Sequence, residues 1–191
     1  MRFLCLAAFL VYNLSVVAQK PCDFSVNVSD SIGTYKATKE TLIYEKVFAG
    51  NASYVFHSIA VSDGLPTLNV QFIEKSFDFI KAKCFDANSK LYLQLENGKI
   101  VTLLHIPKES CGSMVRDEKG FNNRVLAGYF VFRKDDADFL KTSPISMMRI
   151  KFSTDSADYI IRKELKAELD GRTYNPANYF LDFYHCINEN N

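Results

Sequence analysis

Residues 90–106 read KLYLQLENGKIVTLLHI, and this stretch decides the fold class. Leu91, Leu93 and Leu95 alternate with Lys90, Tyr92 and Gln94. After Asn97-Gly98 the alternation resumes, with Ile100, Thr102, Leu104 and Ile106 set against Val101, Leu103 and His105. A period of two places every second side chain on the same face of an extended chain, as a strand with one buried face requires. Asn-Gly between two such runs supplies the two positive φ angles of a type I′ turn, whose twist matches the strands it joins. The stretch predicts a β-hairpin.

The same period extends on both sides. Towards the N-terminus, Tyr54, Phe56, Ser58 and Ala60 alternate with Val55, His57, Ile59 and Val61 until Asp63-Gly64-Leu65-Pro66 breaks the run. Leu68, Val70 and Phe72 then alternate with Thr67, Asn69 and Gln71, and Phe77 to Ala82 carry extended character on to Cys84. Residues 35–48 are read as strand, although Leu42, Ile43 and Val47 would also suit a helix. Towards the C-terminus, Pro107 to Arg124 lose the period, mix charges with Gly112 and Gly120, and are read as one long loop. Val125 to Arg133 resume a strand, and Asp135 to Lys141 read as a short helix with acids at its start. Residues 145–153 and 159–165 read as strands, the second also fitting the start of a helix through Ile161, Leu165 and Leu169. Asn175-Pro176 opens a helix whose Tyr179, Phe180, Phe183, Tyr184 and Ile187 form one apolar stripe. The expectation is a mainly β, antiparallel meander forming a sandwich or open barrel, closed by a short C-terminal helix, with an α+β fold as the alternative.

Address and redox state follow from the first residues and the cysteines. Met1-Arg2 leads into an apolar run ending Val16-Val17-Ala18, which has the charge, core and small-residue cut of a signal peptide over residues 1–18. Residues 19–191 are then expected to form a single β-rich domain of 173 residues, enough for one core. Removing Arg2 from the 23 basic residues leaves 22 against 22 acidic ones, scattered along the chain, which argues against nucleic acid as a partner. No transmembrane segment is expected in the mature chain. Cys5 leaves with the leader, and Cys22, Cys84, Cys111 and Cys186 remain for two disulfides in an oxidising compartment, secreted or periplasmic. Three connectivities are open. The order of strands in a meander favours Cys84 with Cys111, and the nearness of termini in a compact domain favours Cys22 with Cys186. No two of the four stand at structural-zinc spacing, so no metal site is expected.

Catalytic motifs are absent. There is no Gly-x-Ser-x-Gly, phosphate loop, dinucleotide fingerprint or His-Glu-x-x-His, and no cofactor is implied. His57 and His105 sit in strands without a partner at metal-ligand spacing, and His185 stands next to Cys186, where neighbouring side chains on a helix point apart. Asp135, Asp136 and Asp138 are explained by a helix start. Glu74 and Asp78 could form an acid pair only across a cleft that sequence cannot show. Asn27-Val28-Ser29 and Asn51-Ala52-Ser53 match the N-glycosylation triplet. A short leader ending in Ala18-Gln19, then a β-rich domain and a terminal helix, resembles in style the small envelope proteins of Gram-negative bacteria; the likeness assigns no residue a role.

The functional expectation is a secreted or periplasmic noncatalytic binding or structural module, recognising a protein or small ligand. Its alternatives are a small hydrolase with a site assembled from distant residues, and a secreted inhibitor or effector. Long loops on a rigid scaffold are favoured places for binding, so the expected site lies in Pro107 to Arg124, with Arg116, Asp117 and Phe121 as the contact residues and Cys111 anchoring the loop.

Overall fold

A computed structural model describes residues 20–188; the signal-peptide reading of residues 1–18 lies outside the described residues. The chain is mainly β and antiparallel. In order, its strands are β1 (Phe24–Ser29), β2 (Thr34–Thr38), β3 (Thr41–Phe48), β4 (Asn51–Ser62), β5 (Leu65–Ser76), β6 (Cys84–Phe85), β7 (Lys90–Leu95), β8 (Ile100–His105), β9 (Ser110–Cys111), β10 (Ser113–Arg116), β11 (Asn122–Val131), β12 (Ile145–Lys151), β13 (Ser156–Ile160), β14 (Leu165–Lys166) and β15 (Thr173–Tyr174). Two short helices, α1 (Lys134–Ala137) and α2 (Tyr179–Phe183), continue into single 3₁₀ turns.

The main sheet runs β1-β2-β4-β5-β11-β8-β7-β12-β13, with β3 and β10 sharing edges along it. β2 and β3 divide one edge of β4: Tyr35–Ala37 pair with Ala60–Ser62, and Thr41–Phe48 pair with His57–Asn51. At the break between them the Thr38 hydroxyl accepts the Ile59 N–H at 2.9 Å, replacing the missing ladder bond. A buried backbone donor is thereby satisfied. The 35–48 segment is therefore strand, as expected, but broken in two.

β11 and β8 share only two residue pairs, Phe130 with His105 and Val131 with Leu104. The sheet bends at this narrow seam, so its halves face each other. Phe72 of β5 meets Phe152 beyond β12 at 5.6 Å, and Tyr44 of β3 meets Tyr159 of β13 at 5.0 Å. No ladder joins β3 to β13 among the described residues, and the sheet stays open. One core runs through both halves.

Turn chemistry sets the registers, and in the 90–106 hairpin it differs from the expectation. A two-residue Asn97-Gly98 loop would set Leu91, Leu93 and Leu95 opposite Leu104, Thr102 and Ile100. Instead Gly98 N–H donates to Leu95 O, Leu95 N–H donates to Lys99 O, and only Gly98 has positive φ (83°). The loop is three residues long, a type I turn followed by a left-handed glycine. Leu93 then faces Val101 and Leu91 faces Leu103. Because side chains alternate, this one-residue difference exchanges the faces of β8. Val101, Leu103 and His105 are buried, while Ile100 and Leu104 are exposed. The type I′ geometry occurs elsewhere, at Ala49-Gly50 (φ 47° and 77°) between β3 and β4 and at Asp63-Gly64 (48° and 79°) between β4 and β5.

Three further readings are corrected. Pro107 to Arg124 is not a structureless loop: it contains β9 and β10, and β10 forms a hairpin with β11. All four β10 residues are exposed, so no buried face imposes alternation on the sequence. Phe77 to Ala82, read as extended, form no strand; their apolar residues do not mark a buried face, since Phe77 and Phe79 are exposed. The second of the C-terminal strand readings ends earlier than expected, with Leu165 belonging to a separate two-stranded ribbon, β14–β15.

Two disulfides fix the periphery. Cys84 of β6 is bonded to Cys111 of β9, directly opposite it in a two-residue ladder that lies off the main sheet. Cys22 is bonded to Cys186, tying the segment before β1 to the turn after α2. The helical segment turns Tyr179, Phe180 and Tyr184 inward against His57 of β4 and against Phe132. Among the described residues, no helix is long and apolar enough to cross a membrane.

Candidate functional site

The histidines come first because an enzyme reading depends on them. His57 is wholly buried and packs at 5.4 Å from the Tyr179 ring, and neither ring nitrogen has a hydrogen-bond partner. Burial alone pushes its pKa down from 6.5 to about 3, so it is neutral. His105 is also buried; its Nδ1 lies 3.1 Å from the backbone O of Asp86, and desolvation lowers its pKa. His185 does not point away from the neighbouring cysteine as expected. Its Nε2 lies 3.2 Å from Cys22 Sγ and 3.9 Å from Cys186 Sγ. Cys22, His185 and Cys186 form a cluster of metal-ligating types, but both sulfurs are committed to the disulfide. No clefts described below are lined by a histidine.

The acids singled out in the sequence form no acid pair. Glu74 accepts from Lys83 Nζ at 2.6 Å rather than pairing with Asp78. Asp135 and Asp136 lie in the first turn of α1. Glu45, almost fully buried, accepts the backbone N–H groups of Glu168 and Leu169 at 2.7 and 2.9 Å, anchoring the segment before β15.

A different arrangement occupies the end of the sheet where β3, β5 and β10 finish and β4 and β11 begin. The Ala49-Gly50 turn leaves Phe48 73% exposed at the tip of its hairpin. β5 ends at Ser76, whose hydroxyl accepts the Asp78 N–H at 3.0 Å and starts the 77–83 loop. Side chains of β11 lash this loop down. Asn122 donates to the carbonyls of Phe77 and Asp78, and Arg124 donates through Nε to Ile80 O at 2.9 Å and through Nη1 to Gly112 O at 2.6 Å. So held, the loop presents Phe79 to water at 74% exposure. Between these tips lies a cleft of about 570 Å³.

The charges around it are mostly positive. Lys46, Lys75, Lys81 and Lys83 line the cleft against Glu74 and Asp78. Lys83 is paired with Glu74 and Lys75 with Asp117, whereas Lys46 and Lys81 have no acidic partner among the described residues. Two other clefts lack this combination. One of about 650 Å³ at the opposite end is bounded by Asn27, Tyr35 and Ile187, and one of about 330 Å³ lies on the outer face near Tyr92 and Arg149.

The residues expected to form the site lie beside this end, in supporting positions. Asp117 to Phe121 form a turn of the same kind as Leu95 to Lys99, with Gly120 N–H donating to Asp117 O and Gly120 at φ 85°. The Asp117 carboxylate accepts from Lys75 Nζ at 2.9 Å, from Phe121 N–H at 2.9 Å and from Lys119 N–H at 3.1 Å. The bond from Lys75 is foremost in holding its pKa down to about 2. Phe121 stacks on Phe77 with centroids 3.7 Å apart, and Lys75 Nζ lies over the Phe121 ring, 4.4 Å from its centre. Arg116 is exposed at the end of β10. Sequence reasoning missed Phe48, Phe79, Lys46 and Lys81, because three segments meet here only after folding. A signal was present in the apolar, lysine-rich run from Lys75 to Lys83.

Of the glycosylation triplets, Asn27 is exposed on β1 and Asn51 is exposed at the start of β4, next to Phe48. No family model, curated protein or solved structure matches the chain.

Proposed function

We propose that the protein is an exported, noncatalytic binding module, secreted or periplasmic, whose recognition face is the end of the sheet formed by Phe48, Phe79, Lys46 and Lys81. The observation that carries this reading is the conjunction of two phenylalanines about three-quarters exposed with two unpaired lysines on the rim of one cleft. Large apolar side chains held out into water by a hydrogen-bonded loop are unfavourable unless something covers them. The lysines select an anionic partner, and the phenylalanines require that partner to offer apolar contact as well. Two disulfides are compatible with an oxidising compartment. The hydrolase alternative has less support, since none of the histidines faces these clefts and Glu74 is committed to Lys83 instead of pairing with Asp78.

The test is a two-dimensional NMR titration of the folded protein with soluble polyanion probes, a short sulfated oligosaccharide and inorganic polyphosphate. Shifts centred on residues 46–53 and 74–83 are expected, lost in the charge-reversed Lys46→Glu/Lys81→Glu variant. Shifts centred on the opposite cleft or on the outer face, or no shifts at all, overturn the assignment of the face.

A further inference from the structure

We infer that the partner is an anionic lipid bilayer, met edge-on by the Phe48 and Phe79 tips; this rests on the recognition face proposed above and specifies its occupant. The reasoning starts from where the apolar groups sit. A site for a soluble anion places its apolar residues on the walls of the cleft, where a ligand is enclosed. Here Phe48 flanks the turn of a hairpin and Phe79 lies on a loop; both stand at the mouth of the cleft and keep about three-quarters of their surface in water, so neither ring is part of an enclosing wall. Phe77, 59% exposed, backs them and is braced from behind by its stack on Phe121. Side chains at separate summits can enter one planar apolar layer together, whereas a compact soluble ligand would leave most of their surface wet.

The charges match that geometry. Around the tips, Lys46, Lys75, Lys81 and Lys83 line the cleft with Glu74 and Asp78, four cations to two acids, and Lys46 and Lys81 have no acidic partner among the described residues. Anionic headgroups attract such a collar, while the rings behind the headgroup level gain from leaving water. The stretch that carries the rings is also stiff. Asn122 and Arg124 fix the carbonyls of Phe77, Asp78 and Ile80, and Lys83 is joined through Gly112 N–H to the strand bearing Cys111. The loop therefore arrives with little conformational freedom left to lose on docking. No helix among the described residues spans a bilayer, so the contact is peripheral, and its strength comes from the two phenylalanines and the cationic collar.

The chain has no tryptophan, which supplies a direct reporter. Phe79→Trp places a single indole at the crest of the loop. With vesicles of phosphatidylcholine containing phosphatidylglycerol, its emission is expected to shift to the blue and to be quenched by brominated acyl chains; vesicles of phosphatidylcholine alone should produce neither. In co-sedimentation, Lys46→Glu/Lys81→Glu should weaken binding by at least about 25-fold, at about fivefold per lysine near an anionic surface. Phe48→Ser/Phe79→Ser should weaken it about tenfold or more, given the transfer energy of partly buried aromatic side chains. Both variants alter exposed residues and should keep the wild-type thermal midpoint. If the soluble polyanions map to this face but vesicles neither sediment the protein nor shift the indole, the bilayer inference fails and the recognition face stands. If neither class of probe engages these residues, both readings fall.

Discussion

Phe79 and Phe85 stand six residues apart in one segment and meet opposite fates. Phe79 is 74% exposed, whereas Phe85 is completely buried, ringed by Phe72, His105, Phe130 and Phe152 at centroid distances of 5.0 to 6.0 Å. The difference lies in what the chain offers behind each ring. Phe85 follows Cys84, whose disulfide fixes the two-residue β6, and its ring presses so closely on Gly128 that a Cβ there would lie 2.6 Å from Phe85 Cδ2. Phe79 is held by donors to neighbouring backbone, which fix the loop; of these the Arg124 guanidinium reaches one side of the ring, 5.8 Å from its centre, and most of the ring stays in water. Identical side chains therefore serve the core at one position and, in the function proposed above, recognition at the other.

The comparison can be attacked from its strong end. Phe85→Ala should cost about 3–5 kcal/mol in urea unfolding, the usual range for emptying a buried aromatic site; a loss under 1 kcal/mol would mean that the ring is not the plug described. Replacing Cys84 and Cys111 together by Ser should cost about 3–4 kcal/mol, from the loop entropy returned to the unfolded chain. Gly128→Ala should cost about 1–3 kcal/mol, because the Phe85 ring has no room to withdraw.

A buried polar group offers a subtler probe. The His57 imidazole takes a proton near pH 6.5 when unfolded but only at about pH 3 when folded, so the unfolded state binds more protons between these values. Stability contributed by the neutral ring is complete above pH 6.5 and is lost as pH falls, by about 1.4 kcal/mol per pH unit. His105 shifts in the same direction and adds to the slope. Denaturation midpoints measured from pH 7 to pH 4 should show this dependence, and His57→Leu should remove one proton's share of it. At the weak end, Phe48→Ser and Phe79→Ser should each change stability by less than about 0.5 kcal/mol, as exposed substitutions generally do; a large loss would show that these rings belong to the core.

The regular parts of this fold were legible because a half-buried strand writes its period into the chain. Leu91, Leu93 and Leu95, or Leu68, Val70 and Phe72, could hardly be read otherwise. The hairpin turn was harder. Asn97-Gly98 names a turn but not its length, and whether Glu96 joins the loop is settled by which face of β8 the core accepts. β10 was invisible for the converse reason, since a strand exposed on every residue has no face to alternate. In the candidate site, Asp117 and Phe121 could be found as part of an irregular stretch. Phe48 and Lys46 could not be joined to Phe79 and Lys81, because that proximity is made by the long β4–β5 pairing, which returns the chain to the end where β3 finished.

The Cys22–Cys186 bond has a consequence in mechanics. It joins residues 164 apart in sequence and encloses every described strand in one covalent ring. A pull applied to the chain before Cys22 and after Cys186 passes through the two sulfurs, and the ladders of the sheet carry almost none of it. If the protein is tethered on one side of the ring and loaded on the other, its extension under force is confined to the chain outside the ring. The face bearing Phe48 and Phe79 keeps its shape while the tether is under tension.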